Sequence, residues 1–463
     1  MKHRPFGPFL GILGCVLLVF AAIPGFAVEL RAGTAKAVIS PAPGTELIGV
    51  MGEPLKGVEN DIHARVLTLH DGDRRMVLLT YDLNCLDVAT PLLRERLRDE
   101  LGIDPALFIP LATHNHAAPI QIVPGNFEYG RWLAGRMFAL VQEAMAAEAG
   151  PVRLWFGQGH EYSLRALGNA PIDYEVQALK VTRDDRPVAL FFNHPTHPLQ
   201  SVTDRVDPGH PGHAAGEIEA RLPGVLAMFG AACGGNQFTL SGMSGTPESV
   251  GDYGRRLADA VLGISGDAWR EVTGPLSGTL EVIDLPLAPP LPEKEARKLA
   301  KRYPKDIGFV PYPHKDRGSN WVRSLIEHYD KGIPFPKSTK DRVCTDDGFL
   351  VREYETPRAF PCVYEETIVA RLGELVFVAM QGEVCAPIGM RVKDAFRAQT
   401  PILVTAYMGE HNLYIPTREI VRLNLYQAKV IQDQYASPVG WDPSVEDRMV
   451  SAVRRMVDKA LKP

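Results

Sequence analysis

Two short apolar runs end in histidines, and this arrangement restricts the fold more than any other feature of the sequence. Residues 107–111 lead to His114 and His116, and residues 188–192 lead to His194. Apolar runs of this length are typical of buried strands. Ligand sites of open α/β sheets collect at the carboxyl ends of strands. The sequence therefore predicts an α/β protein with a site at the ends of its strands.

The residues at these strand ends are of the types that bind metal ions. His114 and His116 are two positions apart, so on an extended backbone both rings would point to the same side. A third apolar run, residues 375–380, leads to Glu383. A carboxylate there is costly unless it is paired or binds a cation, and zinc commonly takes two His and one Glu. The alternative is that the histidines cap turns and form hydrogen bonds within the core.

Alternating strand patterns and one clear helix predict a parallel pair of strands near the N-terminus. Residues 62–69 and 76–81 form a hairpin around an Asp-Gly-Asp turn. A helix then begins at Thr90-Pro91 and ends at Gly102, before the strand at 107–111. Strand, helix and strand in this order form a βαβ unit, which pairs its strands in parallel.

Further patterns predict additional hairpins and helices. The predicted hairpins are 176–181 with 188–192 and 366–371 with 375–380, and 401–407 is a further strand. Helices are expected at 132–149 and 250–262. A last helix is expected after Ser444, where Asp447 would complete a capping box. The predicted fold class is thus mixed α/β, with β-sheets and flanking helices.

The composition and the N-terminal segment restrict the class of protein to which this chain can belong. The chain has 463 residues and a net charge of −5, with no basic stripe, which argues against a nucleic-acid partner. A positive start, an apolar run at 9–23 and Ala27 are typical of a signal peptide at 1–27. We expect export to the periplasm or the medium, or membrane anchoring if the signal is not cleaved. Residues 28–463 are expected to form one domain, with a charged insertion at 290–361.

Five segments resemble, in order, motifs of the neutral (non-lysosomal) ceramidases, and together they extend over about residues 32–461. The segments are Thr113-His114-Asn115-His116, Ala170-Pro171-Ile172-Asp173-Tyr174-Glu175-Val176, Asn193-His194-Pro195-Thr196, Gln381-Gly382-Glu383 and Tyr414-Ile415-Pro416-Thr417-Arg418-Glu419 followed by Tyr426. The resemblance implies the catalytic-domain fold of that family. The C-terminal immunoglobulin-like domain of family members is expected to be absent, because the sequence ends before one could begin.

The resemblance also implies which residues form the site. The implied Zn²⁺ ligands are His114, His194, Glu383 and Tyr414. The implied substrate-binding residues are Gly52, His116, Arg165 and Tyr426. By this resemblance His116 would protonate the leaving amine and Tyr414 would stabilise the oxyanion, while Arg165 and Tyr426 would orient the substrate.

One segment departs from the family pattern. The family has a Ser and an Asp in a segment that here contains Ala231 and Gly235. The nearby Cys233 could act as a substitute nucleophile, but a packed thiol is the expected reading, because a buried free cysteine behaves as a small hydrophobic residue. Zinc chemistry does not require the serine.

The function expected from the resemblance is zinc-dependent hydrolysis of the amide bond of an N-acyl lipid, releasing a fatty acid and a sphingoid base. One alternative is a zinc amidohydrolase that acts on a non-sphingolipid N-acyl substrate. Another is a metal hydrolase of a different fold, such as an amidohydrolase barrel, although the predicted hairpins argue against that order of elements. The third is an exported metal- or lipid-binding protein without catalysis. The expected partners are the amide substrate and, transiently, a membrane surface, while the oligomeric state is left open.

Overall fold

A computed structural model of the chain defines the fold for most of its length. The described residues are 1, 29–50, 52–86, 89–121, 123–198, 200–201, 204–242, 244–302, 320–333, 335, 341–345, 348–352, 360–409, 413–433, 435 and 437–462. The expected signal peptide lies outside them apart from Met1, as does much of the expected insertion. Across these residues, no helix is both long and apolar enough to cross a bilayer.

The strands and helices alternate along the chain. The strands are β1 (Arg31–Val38), β2 (His63–His70), β3 (Arg75–Tyr81), β4 (Phe108–Ala112), β5 (Val152–His160), β6 (Leu164–Ala166), β7 (Glu175–Arg183), β8 (Arg186–Asn193), β9 (Gln200–Ser201), β10 (Leu226–Phe229), β11 (Gln237–Thr239), β12 (Ser244–Gly245), β13 (Arg270–Glu271), β14 (Leu276–Pro286), β15 (Asp341–Thr345), β16 (Gly348–Arg352), β17 (Cys362–Leu372), β18 (Leu375–Gln381), β19 (Glu383–Val384), β20 (Ile402–Met408) and β21 (Tyr414–Ile415). The helices are α1 (Ala89–Leu101), α2 (Phe127–Ala146), α3 (Gly209–Arg221), α4 (Pro247–Leu262), α5 (Glu293–Ala300), α6 (Asn320–Lys331), α7 (Ala386–Phe396), α8 (Arg418–Arg422), α9 (Tyr426–Asp433) and α10 (Val445–Ala460).

Two large sheets organise the described part of the chain. The larger has eight strands in the order β1-β2-β3-β4-β20-β18-β17-β14, and the smaller has five in the order β10-β8-β7-β5-β13. Most neighbours are antiparallel, whereas β3 with β4, β18 with β20, and β8 with β10 are parallel. Both sheets are therefore mixed, with parallel and antiparallel neighbours.

The two sheets pack face to face, with helices on their outer faces. Successive side chains of a strand point to opposite faces, and in β8 Phe191 joins the apolar layer between the sheets while Phe192 joins the layer beneath the helices. Across the inner layer, the rings of Phe191 and Phe377 lie 5.5 Å apart. Helices α2, α7 and α10 cover the larger sheet, and α3 and α4 cover the smaller one. The core is thus a four-layer α/β/β/α sandwich.

The predicted fold class and several of the predicted elements are confirmed. The parallel βαβ unit is β3-α1-β4, and the predicted hairpins are β2–β3, β7–β8 and β17–β18. The expected capping box at Ser444 is wrong, because this side chain makes no capping hydrogen bond to α10. Helix α3 is not among the predicted elements, because its first residues are rich in Gly, Pro and His and carry no local helix signal.

A buried carboxylate links the larger sheet to the loop that follows β4. Asp82 accepts hydrogen bonds from Arg65 Nη1 at 3.0 Å and from the backbone N–H of His63 at 2.9 Å. Its own backbone carbonyl accepts from Asn115 Nδ2 at 3.1 Å, and the same amide donates to the carbonyl of Asp207 at 2.7 Å. Asn115 lies between His114 and His116, so these bonds hold the histidine loop against both neighbouring segments.

We expect the Asp82→Ala substitution to lower the free energy of unfolding by about 3 kcal/mol, because it leaves the buried Arg65 guanidinium without its closest partner. Urea unfolding followed by circular dichroism measures this loss. The matched control is Glu100→Ala, which removes the partner of Arg96 in an exposed i, i+4 pair and should change stability little. Equal effects of the two substitutions would contradict the structural role of Asp82.

Candidate metal centre

Three histidines bring one nitrogen each to a common point. The Nε2 atoms of His114 and His197 lie 3.2 Å apart, those of His114 and His116 3.1 Å, and those of His116 and His197 3.2 Å. His114 and His197 are buried and His116 is half-buried. This group is the one that could hold a metal ion within the described residues.

The three contacts cannot all be hydrogen bonds. Each Nε2 either carries a proton or presents a lone pair, so at least two of the three must be in the same state and cannot bond to each other. Burial and the neighbouring imidazoles lower the pKa of His116 and of His197 well below the usual value. Neutral imidazoles present the lone pairs that a metal ion binds. A cation at the centre of the triangle would satisfy all three nitrogens at once.

Glu383 provides an oxygen beside this triangle. Its Oε2 lies 3.2 Å from His114 Nε2 and 3.7 Å from His197 Nδ1. The atom is buried and accepts no hydrogen bond from the described residues, which is costly for a carboxylate unless a cation is close. Four ligands at about 2.0–2.1 Å from a tetrahedral ion lie about 3.3 Å from one another. The separations of 3.1–3.2 Å between the three nitrogens therefore fit one small divalent cation, and Glu383 Oε2 lies at a similar distance from one of these nitrogens, His114 Nε2.

The side chains of this cluster follow strand ends in both sheets, as the sequence predicts. His114 lies two residues after β4 of the larger sheet, His197 follows β8 of the smaller one, and Glu383 begins β19 just after β18. The backbone at His114 is not extended, contrary to expectation, because its φ is +60°. The ring of His114 is held instead by its Nδ1, which lies 3.2 Å from the carbonyl of Asn84 and fixes Nε2 toward the cluster.

In the structure His197 belongs to the histidine cluster, whereas the resemblance to the ceramidases implied His194 as a metal ligand. The backbone turns sharply between them, with the N–H of Thr196 donating to the carbonyl of His194 at 3.0 Å. His194 Nδ1 lies 3.3 Å from the hydroxyl of Tyr253, and its Nε2 has no hydrogen-bond partner in the part of the chain that the structure describes. Burial lowers the pKa of His194 to about 4. The sequence indicates that a histidine after this strand could bind a metal, since His194 and His197 both follow β8. It does not indicate the turn that brings His197, and not His194, to the cluster.

Tyr414 lies beside Glu383, and Tyr426 lies beside Tyr414. Strands β19 and β21 pair Glu383 with Tyr414 in parallel register, which brings the Tyr414 hydroxyl close to the charge of the Glu383 carboxylate. Burial, and then the charge of Glu383, raises the pKa of Tyr414. The rings of Tyr414 and His197 are parallel at 6.2 Å, and those of Tyr414 and Tyr426 are 5.8 Å apart. Tyr426 is half exposed, so this row of rings runs from the cluster toward solvent.

The other two expected substrate residues lie on segments next to the cluster. Arg165 is an exposed residue of β6 and pairs with Phe238, whose ring lies 5.5 Å from that of His197. Gly52 has a φ of +86° in a loop whose Gly49 bridges to Pro119, beyond His116. Their roles toward a substrate stay predictions.

The segment that departs from the family pattern contains no exposed nucleophile. Ala231 is fully buried, and its carbonyl accepts from the N–H of Ala406 at 2.9 Å. Burial raises the pKa of the Cys233 thiol to about 12, and its sulfur packs against Gly389 of α7. A thiol protonated to this extent is a poor nucleophile, so packing is the role that the structure supports for Cys233.

The fold is similar to that of solved ceramidases. A neutral ceramidase from Pseudomonas aeruginosa matches with a TM-score of 0.67 and 17% identity over 94% of this chain and 75% of that chain. A ceramidase complexed with C2 matches with a TM-score of 0.64 and 16% identity over 93% of this chain and 76% of that chain. No protein-family model matches the chain, and no curated protein matches it. The expected resemblance to neutral ceramidases is therefore confirmed at the level of the fold.

The geometry predicts that His197, rather than His194, is required for metal binding. We expect the wild-type chain to retain one zinc ion after loading and gel filtration, and the His197→Ala variant to lose it. The His194→Ala variant should keep its zinc, because the His194 ring faces Tyr253. Elemental analysis of the folded proteins measures the zinc content. Loss of zinc from His194→Ala with retention in His197→Ala would contradict this ligand set.

Proposed function

We propose that the protein is a zinc-dependent hydrolase that cleaves the amide bond of a ceramide-like N-acyl lipid. The single observation that carries the proposal is the convergence of His114, His116 and His197 with the Glu383 carboxylate. Three imidazoles and one carboxylate form a donor set that suits zinc. The likeness in fold to ceramidases supports the choice of an amide lipid as substrate.

The proposed reaction is hydrolysis. Water adds to the acyl carbonyl carbon, the C–N bond breaks, and the amine leaves with a proton. A divalent ion bound here supplies a Lewis acid that polarises the carbonyl and acidifies the water. His116 lies within the ligand triangle, so we assign it to metal binding instead of the amine-protonating role that the resemblance implied.

The chain itself provides a donor beside the reacting carbonyl. The Tyr414 hydroxyl lies close to Glu383, next to the cluster. From that position it donates a hydrogen bond to the carbonyl oxygen as negative charge develops there, which is the kind of interaction that stabilises a transition state. Tyr426, on the solvent side of Tyr414, is placed to contact the polar head of the substrate.

A lipid substrate would reach this site from a membrane surface. Leu423 and Tyr426 are both 53% exposed and lie three positions apart in the sequence, and the Tyr426 ring lies 5.8 Å from that of Tyr414. Exposed apolar and aromatic side chains at the rim of a site favour transient contact with lipid. We propose this contact as the way in which the enzyme takes its substrate, and export by the N-terminal signal as the way in which it meets that surface.

The zinc-loaded protein should release fatty acid and sphingoid base in equal amounts from N-acylsphingosine. Mass spectrometry of both products measures the reaction. A chelator should abolish product release, and added Zn²⁺ should restore it. A simple N-acyl amide with the same acyl chain is the matched control for recognition of the sphingoid part.

The results of this assay distinguish the proposed hydrolase of ceramide-like lipids from the alternative functions. Turnover of the simple amide alone would show an amidohydrolase of a different substrate class. Stoichiometric zinc without turnover of either substrate would show a metal-binding protein without this catalysis, and would contradict the proposed function.

The Tyr414→Phe substitution should lower kcat by about a hundredfold, the usual cost of losing one oxyanion donor. KM should change little, because the lost bond forms mainly in the transition state. Steady-state kinetics on N-acylsphingosine measure both constants. Tyr81→Phe is the control, since this buried hydroxyl has no hydrogen-bond partner among the residues with a described structure. A kcat for Tyr414→Phe equal to that of the control would rule out the donor role.

A further inference from the structure

Residues Gly234, Gly235, Asn236 and Gln237, here called the 234–237 segment, lie between the chain segments that bear His197 and Glu383. We propose that this segment positions His197 relative to Glu383, and that Gln237 is its main positioning residue. The inference rests on the metal centre of the proposed function and adds a role for residues that do not touch the substrate.

Gln237 holds the loop of His197 by its backbone and its side chain. Its backbone carbonyl accepts from the N–H of His197 at 2.8 Å. Its Nε2 donates to the carbonyl of Pro195 at 2.6 Å and to that of Asp173 at 3.0 Å, and its Oε1 accepts from the N–H of Asp173 at 2.6 Å. The side chain is fully buried. One glutamine thus ties both sides of the turn between His194 and His197 to a third segment of the chain.

The other end of the segment is fixed against Glu383. The N–H of Gly235 donates to the carbonyl of Val384 at 3.0 Å, and Asn236 Oδ1 accepts from the N–H of Ala386 at 2.8 Å. A Cβ at Gly235 would lie 2.4 Å from the carbonyl oxygen of Glu383, so no other residue allows this approach. The backbone of the 234–237 segment therefore contacts the chain around Glu383 at one end and leads to Gln237 at the other.

A buried ion pair anchors the third segment. Lys393 Nζ lies 2.7 Å from Asp173 Oδ2 and 2.7 Å from Glu175 Oε2, and all three side chains are at least nine-tenths buried. Asp173 is also the residue whose backbone is bonded in both directions to Gln237. The Pro171-Ile172-Asp173 motif, which the metal centre itself does not use, thus acquires a role as the support of Gln237.

The consequence for metal binding follows from the distances. The three imidazole nitrogens are 3.1–3.2 Å apart before any ion is considered, so a shift of His197 away from His114 and His116 would directly lengthen a metal bond. Loss of a group that orients a metal ligand typically weakens metal affinity about 10–100-fold. We expect a change of this size when the side-chain bonds of Gln237 are removed.

The test is the Gln237→Met variant, which keeps the side-chain volume but removes the three side-chain hydrogen bonds. The dissociation constant for Zn²⁺, measured by competition with a chelating dye, should rise about 10–100-fold. The visible absorption bands of the Co²⁺-loaded protein should also change, because they report the geometry of the ligands. Gln237→Glu keeps an acceptor for the N–H of Asp173 but places a carboxylate oxygen against the carbonyls of Pro195 and Asp173. It should raise the dissociation constant in the same direction and carries the test if the methionine variant does not fold.

The matched control is Gln177→Met. Gln177 is an equally buried glutamine whose side chain bonds to the carbonyl of Ile402 at 2.8 Å and the N–H of Val404 at 3.0 Å, joining β7 to β20. The Gln177→Met variant should have a lower thermal stability than the wild type, but the same zinc affinity and the same Co²⁺ spectrum. Folded Gln237 variants with the affinity and spectrum of the wild type would overturn the inference while leaving the metal centre intact. A wild-type chain that binds no zinc would overturn both.

Discussion

The structure depends on the close approach of three imidazole nitrogens that cannot all bond to one another. His114, His116 and His197 are brought within 3.2 Å of each other in a buried position, with a carboxylate of Glu383 at the same distance from His114. Lone pairs in such a position repel unless a cation lies between them. The fold therefore holds a donor set whose strain a divalent ion would relieve.

The two-sheet architecture explains how distant parts of the chain reach this point. β4 and β18 belong to one sheet and β8 to the other, and the apolar layer between the sheets fixes their relative position. Connections at the strand ends then decide which side chains face the centre. Gly382, with a φ of +82°, and the turn at Thr196 redirect the chain just before Glu383 and His197. The rigid strands thus bring the segments that carry the cluster residues close together. The short loops, held by several hydrogen bonds, fix the direction of each side chain.

The sequence predicts the strands and their ends better than it predicts the direction of individual side chains. Apolar runs, turn residues and the helix at Thr90 are local signals, so the βαβ unit and the hairpins could be predicted. The choice between His194 and His197 depends on a turn fixed by Gln237, which is distant in sequence. Helix α3 begins with Gly, Pro and His and carries no local helix signal. In each case the missing information is a tertiary contact.

The most direct test of the account is X-ray absorption spectroscopy of the zinc-loaded protein at the zinc edge. The account predicts a first shell of four nitrogen or oxygen atoms at about 2.0–2.1 Å, with the multiple-scattering pattern of three imidazoles. A shell that contains sulfur, or six oxygen atoms without imidazole scattering, would contradict the convergence of His114, His116 and His197 on one ion.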